Sequence, residues 1–199
     1  MTHSDDEKFM ALALEEAARA AELGEVPIGA VVVHDGKVIA RAGNRRETDA
    51  DPAAHAEFSA LMQASRVLGR WRLTGCTVYV TLEPCLMCAG LMVNSRIDRC
   101  VFGAPDPKGG AVGTLYDVSH DARLNHEFEV EGGVLEAECA EVLRAFFKRR
   151  RAEAKAAKLA ARVAQESAVA LPEGAEPPLL AGECASHIDG LSVQGPTLP

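Results

Sequence analysis

Thr77-Val78-Tyr79-Val80-Thr81-Leu82-Glu83-Pro84-Cys85-Leu86-Met87-Cys88 is the stretch on which the reading of this chain turns. Thr77 to Leu82 is an unbroken run of β-branched, aromatic and aliphatic residues, the pattern of a buried strand. Glu83-Pro84 ends it, and a proline with its fixed φ and missing N–H suits the first position of a helix. Cys85 and Cys88 then fall at i and i+3 on one face of a helix start, where unpaired N–H groups and the positive dipole end favour thiolates. Upstream stands His55-Ala56-Glu57. One imidazole and two thiolates can hold a tetrahedral zinc while leaving its fourth position open for water, whereas a structural site would be closed by a fourth protein ligand. His55, Cys85 and Cys88 are therefore the expected metal ligands, and Glu57 the expected proton carrier for that water.

Working outward, Ser4-Asp5-Asp6-Glu7 has the form of a capping box, and Phe9, Leu12, Ala13, Ala17 and Ala20 behind it mark an amphipathic helix ending at Gly24. Ile28 to His34 and Lys37 to Ala42 read as strands joined by Asp35-Gly36, a two-residue hairpin turn, so the first pair is antiparallel. Asp51-Pro52 offers an N-cap and a first-turn proline for a helix to about Leu68, with His55 and Glu57 near its start. Arg99 to Gly103 is a short strand, 104–113 a Gly/Pro-rich loop, and Phe128 to Glu131 a last strand. A helix follows from about Leu135 and loses its apolar stripe after Phe147; if it continues to Val163 it is about 40 Å long. Strands and helices alternating around one sheet predict the α/β class, a three-layer α/β/α sandwich on a mixed five-stranded sheet with its first hairpin antiparallel.

At 199 residues and 48% hydrophobic content the chain can bury one substantial core plus an appendage. The start, Met1-Thr2-His3-Ser4-Asp5-Asp6-Glu7, lacks the basic flank and apolar run of a signal peptide, and no apolar stretch reaches the length of a membrane span. The expectation is a cytoplasmic protein, off the membrane, with its six cysteines reduced. Cys76, Cys100 and Cys139 stand in apolar contexts as core residues, and Cys184 as a tail thiol. The net charge of −8 is unevenly spread. Residues 166–199 carry five acids and no Lys or Arg, which leaves 1–165 at −3, and within it Arg144 to Arg162 holds eight bases against one acid, Glu153. The Pro/Gly-rich acidic composition of 166–199 cannot bury enough surface to offset its ordering entropy, so the expected division is a catalytic domain over 1–165, basic helix included, and a disordered tail over 166–199.

His-x-Glu with Pro-Cys-x-x-Cys is the signature of the zinc nucleobase deaminases, and the chain resembles the bacterial tRNA-specific adenosine deaminases of the cytidine-deaminase superfamily. The likeness runs from about Phe9 to Arg151. It includes Glu25-Val26-Pro27-Ile28-Gly29-Ala30-Val31, Asn44-Arg45, Asp51-Pro52-Ala53-Ala54-His55-Ala56-Glu57, the Tyr79 to Gly90 stretch and Ser95-Arg96-Ile97. The segments that narrow it to this branch are Val101 to Gly110, Leu124-Asn125-His126 and Phe146-Phe147-Lys148-Arg149-Arg150. The resemblance implies a cytidine-deaminase-like fold, one zinc per subunit, a homodimer, and hydrolytic conversion of adenosine to inosine at the wobble position of a tRNA, usually an arginine tRNA. It further implies that Asn44 hydrogen-bonds the purine or its ribose. The backbone at Ala56 and Pro84 would line the pocket, Asp106 face the nucleotide backbone, and Phe147, Arg149 and Arg150 contact the anticodon stem-loop. Two other readings stay open: a deaminase of a free base or nucleoside such as guanine or cytosine, and a non-catalytic zinc or RNA-binding module. A redox role for Cys85 and Cys88 would leave His55 and Glu57 without a purpose.

Overall fold

In the first strand, Gly29–His34 (β1), Ala30 and Val32 join one apolar cluster while Val31 and Val33 join another. This is the two-residue period of a strand covered on both faces, and it generates three layers. The computed structural model describes residues 3–169. One layer holds His3–Glu22 (α1) and the start of Glu136–Val169 (α4), whose Met10, Ala13 and Cys139 pack on Val31, Val33, Tyr79 and Val101. The other holds Ala56–Leu68 (α2) and Leu86–Ser95 (α3), packed on Val32, Val78, Val80 and Cys100.

Between them lie β1, Lys37–Gly43 (β2), Cys76–Leu82 (β3), Arg99–Ala104 (β4) and Glu129–Gly132 (β5), in the order β2-β1-β3-β4-β5. β1 runs antiparallel to both neighbours, and β3, β4 and β5 run parallel to one another. The sheet is therefore mixed, five-stranded and opened by an antiparallel hairpin, as the sequence predicts. Asp35 and Gly36 carry φ of 49° and 70°, the two positive values that a type I′ turn demands. Cys76, Cys100 and Cys139 are all buried core residues; Cys184 lies outside the described residues.

Helix starts depart from expectation. α1 begins at His3, so Ser4 is already helical rather than the preceding cap, and Asp6 is drawn inward to accept from Tyr79 Oη at 2.7 Å and from Arg99. Pro52 does not open α2. Asp51 Oδ1 accepts the Ala53 N–H at 2.8 Å and its carbonyl accepts the Ala54 N–H, which spends the Asp-Pro pair on a turn and delays the helix to Ala56. Pro84 does not open α3 either: its carbonyl accepts the Ala111 N–H at 2.8 Å and Cys85 bridges Gly110, holding both residues extended until Leu86. At the other end of the chain α4 passes the expected boundary at 165 and continues to Val169. The tail expected over 166–199 lies, from residue 170, outside the described residues.

Candidate active site

Strand register brings the candidate residues to one end of the sheet. Gly29 pairs with Gly43, Ala30 with Val80, and Leu82 with Ala104. The residues that follow β2, β3 and β4, namely Asn44, Glu83-Pro84-Cys85 and Pro105-Asp106, therefore emerge together with those that precede β1. Beyond the carboxyl ends of parallel strands is where open α/β sheets place their ligands.

Two of the three expected metal ligands are helix N-caps. His55 precedes α2 with φ −73° and ψ 152°, Cys85 precedes α3 with φ −77° and ψ 172°, and neither side chain caps its own helix. Extended caps turn both side chains off the helix axes and toward each other. Cys85 Sγ lies 3.6 Å and Cys88 Sγ 3.7 Å from His55 Nδ1. All three donor atoms lie within 4.8 Å of one another, a group that could hold a metal ion. In the bare side chains the Cys85 thiol is pulled down to about 3, first by the hydrogen bond from Cys88 and, against burial, by that from His55. Cys88, the donor of that bond and buried, is pushed up.

Glu57 stands two residues past His55 in the first turn of α2 and is 4% exposed. Burial raises its carboxyl to about 7, although its own backbone N–H and His55 pull the other way. A carboxyl that burial raises in this way is suited to the proton transfers of general acid–base work. Ala56 between them is fully buried.

Asn44 is 4% exposed and directly follows β2; its N–H donates to the Ile28 carbonyl, and its Nδ2 donates to Glu25 at 3.3 Å. It lines a cleft of about 570 Å³ with Arg45, Ala54 and Phe58. Asp106 and Phe147 share a second cleft of about 760 Å³ with Leu82, Lys108, Arg144 and Arg151. Phe147 is 44% exposed and meets Phe146 edge to face at 5.4 Å. Arg149 and Arg150 are not among the residues lining that cleft; both are exposed and reach Glu153 at 3.7 and 3.8 Å. His126 is a packing residue, hydrogen-bonded through Nε2 to the Ile97 carbonyl.

The sequence reading passed over two buried carboxylates, Glu25 and Glu83, each tied by hydrogen bonds to a loop at this end of the sheet. Their one visible signal is position. Each is an acid beside or near a proline at a strand terminus, Glu25-Val26-Pro27 and Glu83-Pro84.

The MafB19-like deaminase family matches residues 4–151, most of the chain. A tRNA-specific adenosine deaminase from Bacillus subtilis is 54% identical over 155 residues, covering 78% of this chain and 96% of that protein. The chain belongs to the tRNA-specific adenosine deaminase family. A second member, from Haemophilus influenzae, is 48% identical over 151 residues, 75% of this chain and 87% of its own length. Among solved structures, one from work on A-to-I editing by tRNA deaminases at the wobble position aligns with a TM-score of 0.66 at 49% identity, covering 68% of this chain and 99% of that one. A guanine deaminase from Nitrosomonas europaea aligns with a TM-score of 0.62 at 25% identity, covering 70% and 83%. The family and the deaminase fold make this chain an enzyme.

Proposed function

We propose that the enzyme hydrolyses the exocyclic amine of adenosine at the wobble position of a tRNA anticodon, leaving inosine and ammonia. The observation that carries the reading is the buried Glu57 carboxyl beside the His55, Cys85 and Cys88 cluster; the adenosine and tRNA parts draw on the relatives. Zinc fits the donor set. Zinc–sulfur bonds of about 2.3 Å and zinc–nitrogen bonds of about 2.0–2.1 Å in a tetrahedron separate sulfur and nitrogen ligands by about 3.5 Å, against the 3.6 and 3.7 Å found. When bound, one per subunit, zinc supplies a water of lowered pKa for attack at C6 of the adenine.

The rest is the work of side chains. Glu57 would take one proton of that water and pass it to N1 of the purine, then take the proton of the new C6 hydroxyl and pass it to the amine, so that the C6 carbonyl of inosine forms as ammonia leaves. Asn44 holds the purine or its ribose, and the buried backbone at Ala56 and Pro84 walls the pocket. Asp106 faces the nucleotide backbone beside the target, while Phe147, Arg149 and Arg150 meet the anticodon stem-loop. An unpaired loop base costs less to extrude than a paired one, which suits an anticodon target. We assign an arginine tRNA, a homodimer and a cytoplasmic setting on family likeness; among the described residues no helix is long and apolar enough to cross a membrane.

A second reading, turnover of a free base such as guanine or cytosine, draws on the likeness to the guanine deaminase. Incubation of the protein in parallel with an anticodon stem-loop, free purines and free pyrimidines, with ammonia and inosine measured, separates the two. Turnover of free bases alone would reject the tRNA reading. Glu57→Ala should keep its zinc and lose at least about 100-fold in rate; inosine formation persisting in it would remove Glu57 from the role.

A further inference from the structure

The chemical end of the sheet is bordered by two loops, and a buried carboxylate stands at the root of each. Glu83, 2% exposed, accepts the backbone N–H groups of Asp106 at 3.0 Å, Val112 at 3.3 Å and Thr114 at 3.0 Å, together with the Thr114 hydroxyl. Gly110 lies so close that a Cβ there would fall onto the Glu83 carboxylate. Glu25, 1% exposed, accepts the Thr48 N–H at 2.6 Å on one oxygen and Asn44 Nδ2 at 3.3 Å on the other. Hydrogen bonds hold its carboxyl below the usual carboxylate range although burial would raise it.

Both loops are also joined by backbone hydrogen bonds to the turns that bear the metal-ligand candidates. Ala111 N–H donates to the Pro84 carbonyl at 2.8 Å, and Arg45 N–H donates to the Ala54 carbonyl at 3.0 Å. A carboxylate is the one side chain that offers about four acceptor sites and no donor, so it alone satisfies several converging N–H groups. Isolated burial of such a charge is costly. We propose that Glu25 and Glu83 are paired positioning residues that fix the two walls of the substrate mouth, Glu25 by aiming the Asn44 amide and Glu83 by setting the Asp106–Thr114 loop against the Cys85 turn. The inference rests on the proposed reading of this mouth as the entry for the target base.

The test is a double-mutant cycle with an anticodon stem-loop as substrate, alongside zinc content and backbone amide exchange. Glu25→Gln should raise KM about tenfold with kcat held within about threefold, and, because it acts through Asn44, the Glu25→Gln/Asn44→Ala double variant should match Asn44→Ala alone within about twofold. Zinc content should not change. Amide exchange should quicken at Thr48 in Glu25→Gln, and at Asp106, Val112 and Thr114 in Glu83→Gln. Glu83→Gln should raise KM about tenfold, and Gly110→Ala, whose Cβ would push on the Glu83 carboxylate while keeping its charge, should give the same rise and serve as the test where Glu83→Gln folds poorly. Effects of Glu25→Gln and Asn44→Ala that simply multiply, or unaltered exchange at the named amides, would overturn the proposal. A wild type that ignores the stem-loop and turns over a free base would reject the tRNA reading instead, and the same cycle is then read on that base.

Discussion

Asp6→Asn removes one charge from α1 and should loosen the whole central sheet. The Asp6 side chain is 3% exposed and accepts from Arg99 Nη1 at 2.8 Å, Arg99 Nη2 at 3.0 Å and Tyr79 Oη at 2.7 Å, tying α1 across β3 and β4. Arg99 is 17% exposed and also pairs with Glu131, itself 42% exposed. Taking one partner from a buried pair costs about 3–5 kcal/mol. Because Glu131 stays on Arg99, the lower end, about 3 kcal/mol, is expected, or roughly 6–12 °C in Tm for a domain of this size. Burial alone would raise the Asp6 carboxyl, yet the hydrogen bonds from Arg99 and Tyr79 hold it below its ordinary value. A depressed carboxyl contributes stability that is full above the unfolded value of about 3.9 and is lost as pH falls through the folded one. Urea unfolding of wild type and variant, with equal m-values, should therefore show the full gap at pH 7 and a closing gap below about pH 4. A gap under about 1 kcal/mol at pH 7, or one that stays constant into acid, would refute the reasoning.

Cys85→Ala should abolish stoichiometric zinc, since it removes one of three donors; unchanged metal content by elemental analysis would place the metal elsewhere. Gly103→Ala would set a Cβ 2.8 Å from Cys139 Cβ and 2.9 Å from the Thr81 carbonyl. It should destabilise by about 1–3 kcal/mol or more by wedging α4 off β4, read as a lowered urea midpoint. Deleting residues 170–199, which carry four acids and no Lys or Arg, should tighten stem-loop binding by relieving repulsion of phosphates; weaker binding at fixed salt would assign the segment a contact role.

Local chemistry was legible in the sequence, and long-range hydrogen bonding was not. Asp35-Gly36 announced its turn because two positive φ values are a property of those two residues alone. His55, Cys85 and Cys88 announced a cluster because ligand types are few. The helix starts slipped by up to four residues because Asp51-Pro52 and Pro84 could each open a helix or serve a turn, and distant partners decided it: Ala54 bonds back to Arg45, and Pro84 receives Ala111. Asp6 gave no sign of its own inside the Ser4-Asp5-Asp6-Glu7 motif, since its partners Tyr79 and Arg99 come from strands 73 and 93 positions away. The partners of Glu25 and Glu83 were hidden in the same way, since beyond the nearby prolines nothing marks these acids and most of the groups they hold are backbone amides, which every sequence contains.

The sheet divides its labour by direction. At one end Gly43, Leu82 and Ala104 deliver the chain into the loops of the candidate site and Gly29 takes it back into the sheet, while at the other the Asp35-Gly36 hairpin and the α2–β3 connection only reverse it. Lengthening a surface loop costs little in closure entropy, so such a fold can be retargeted by rewriting one rim and leaving its frame untouched. A guanine deaminase aligns with this framework at a TM-score of 0.62 and 25% identity; on the proposed reading of the site, segments 44–54 and 105–114 are where a change of substrate would be written.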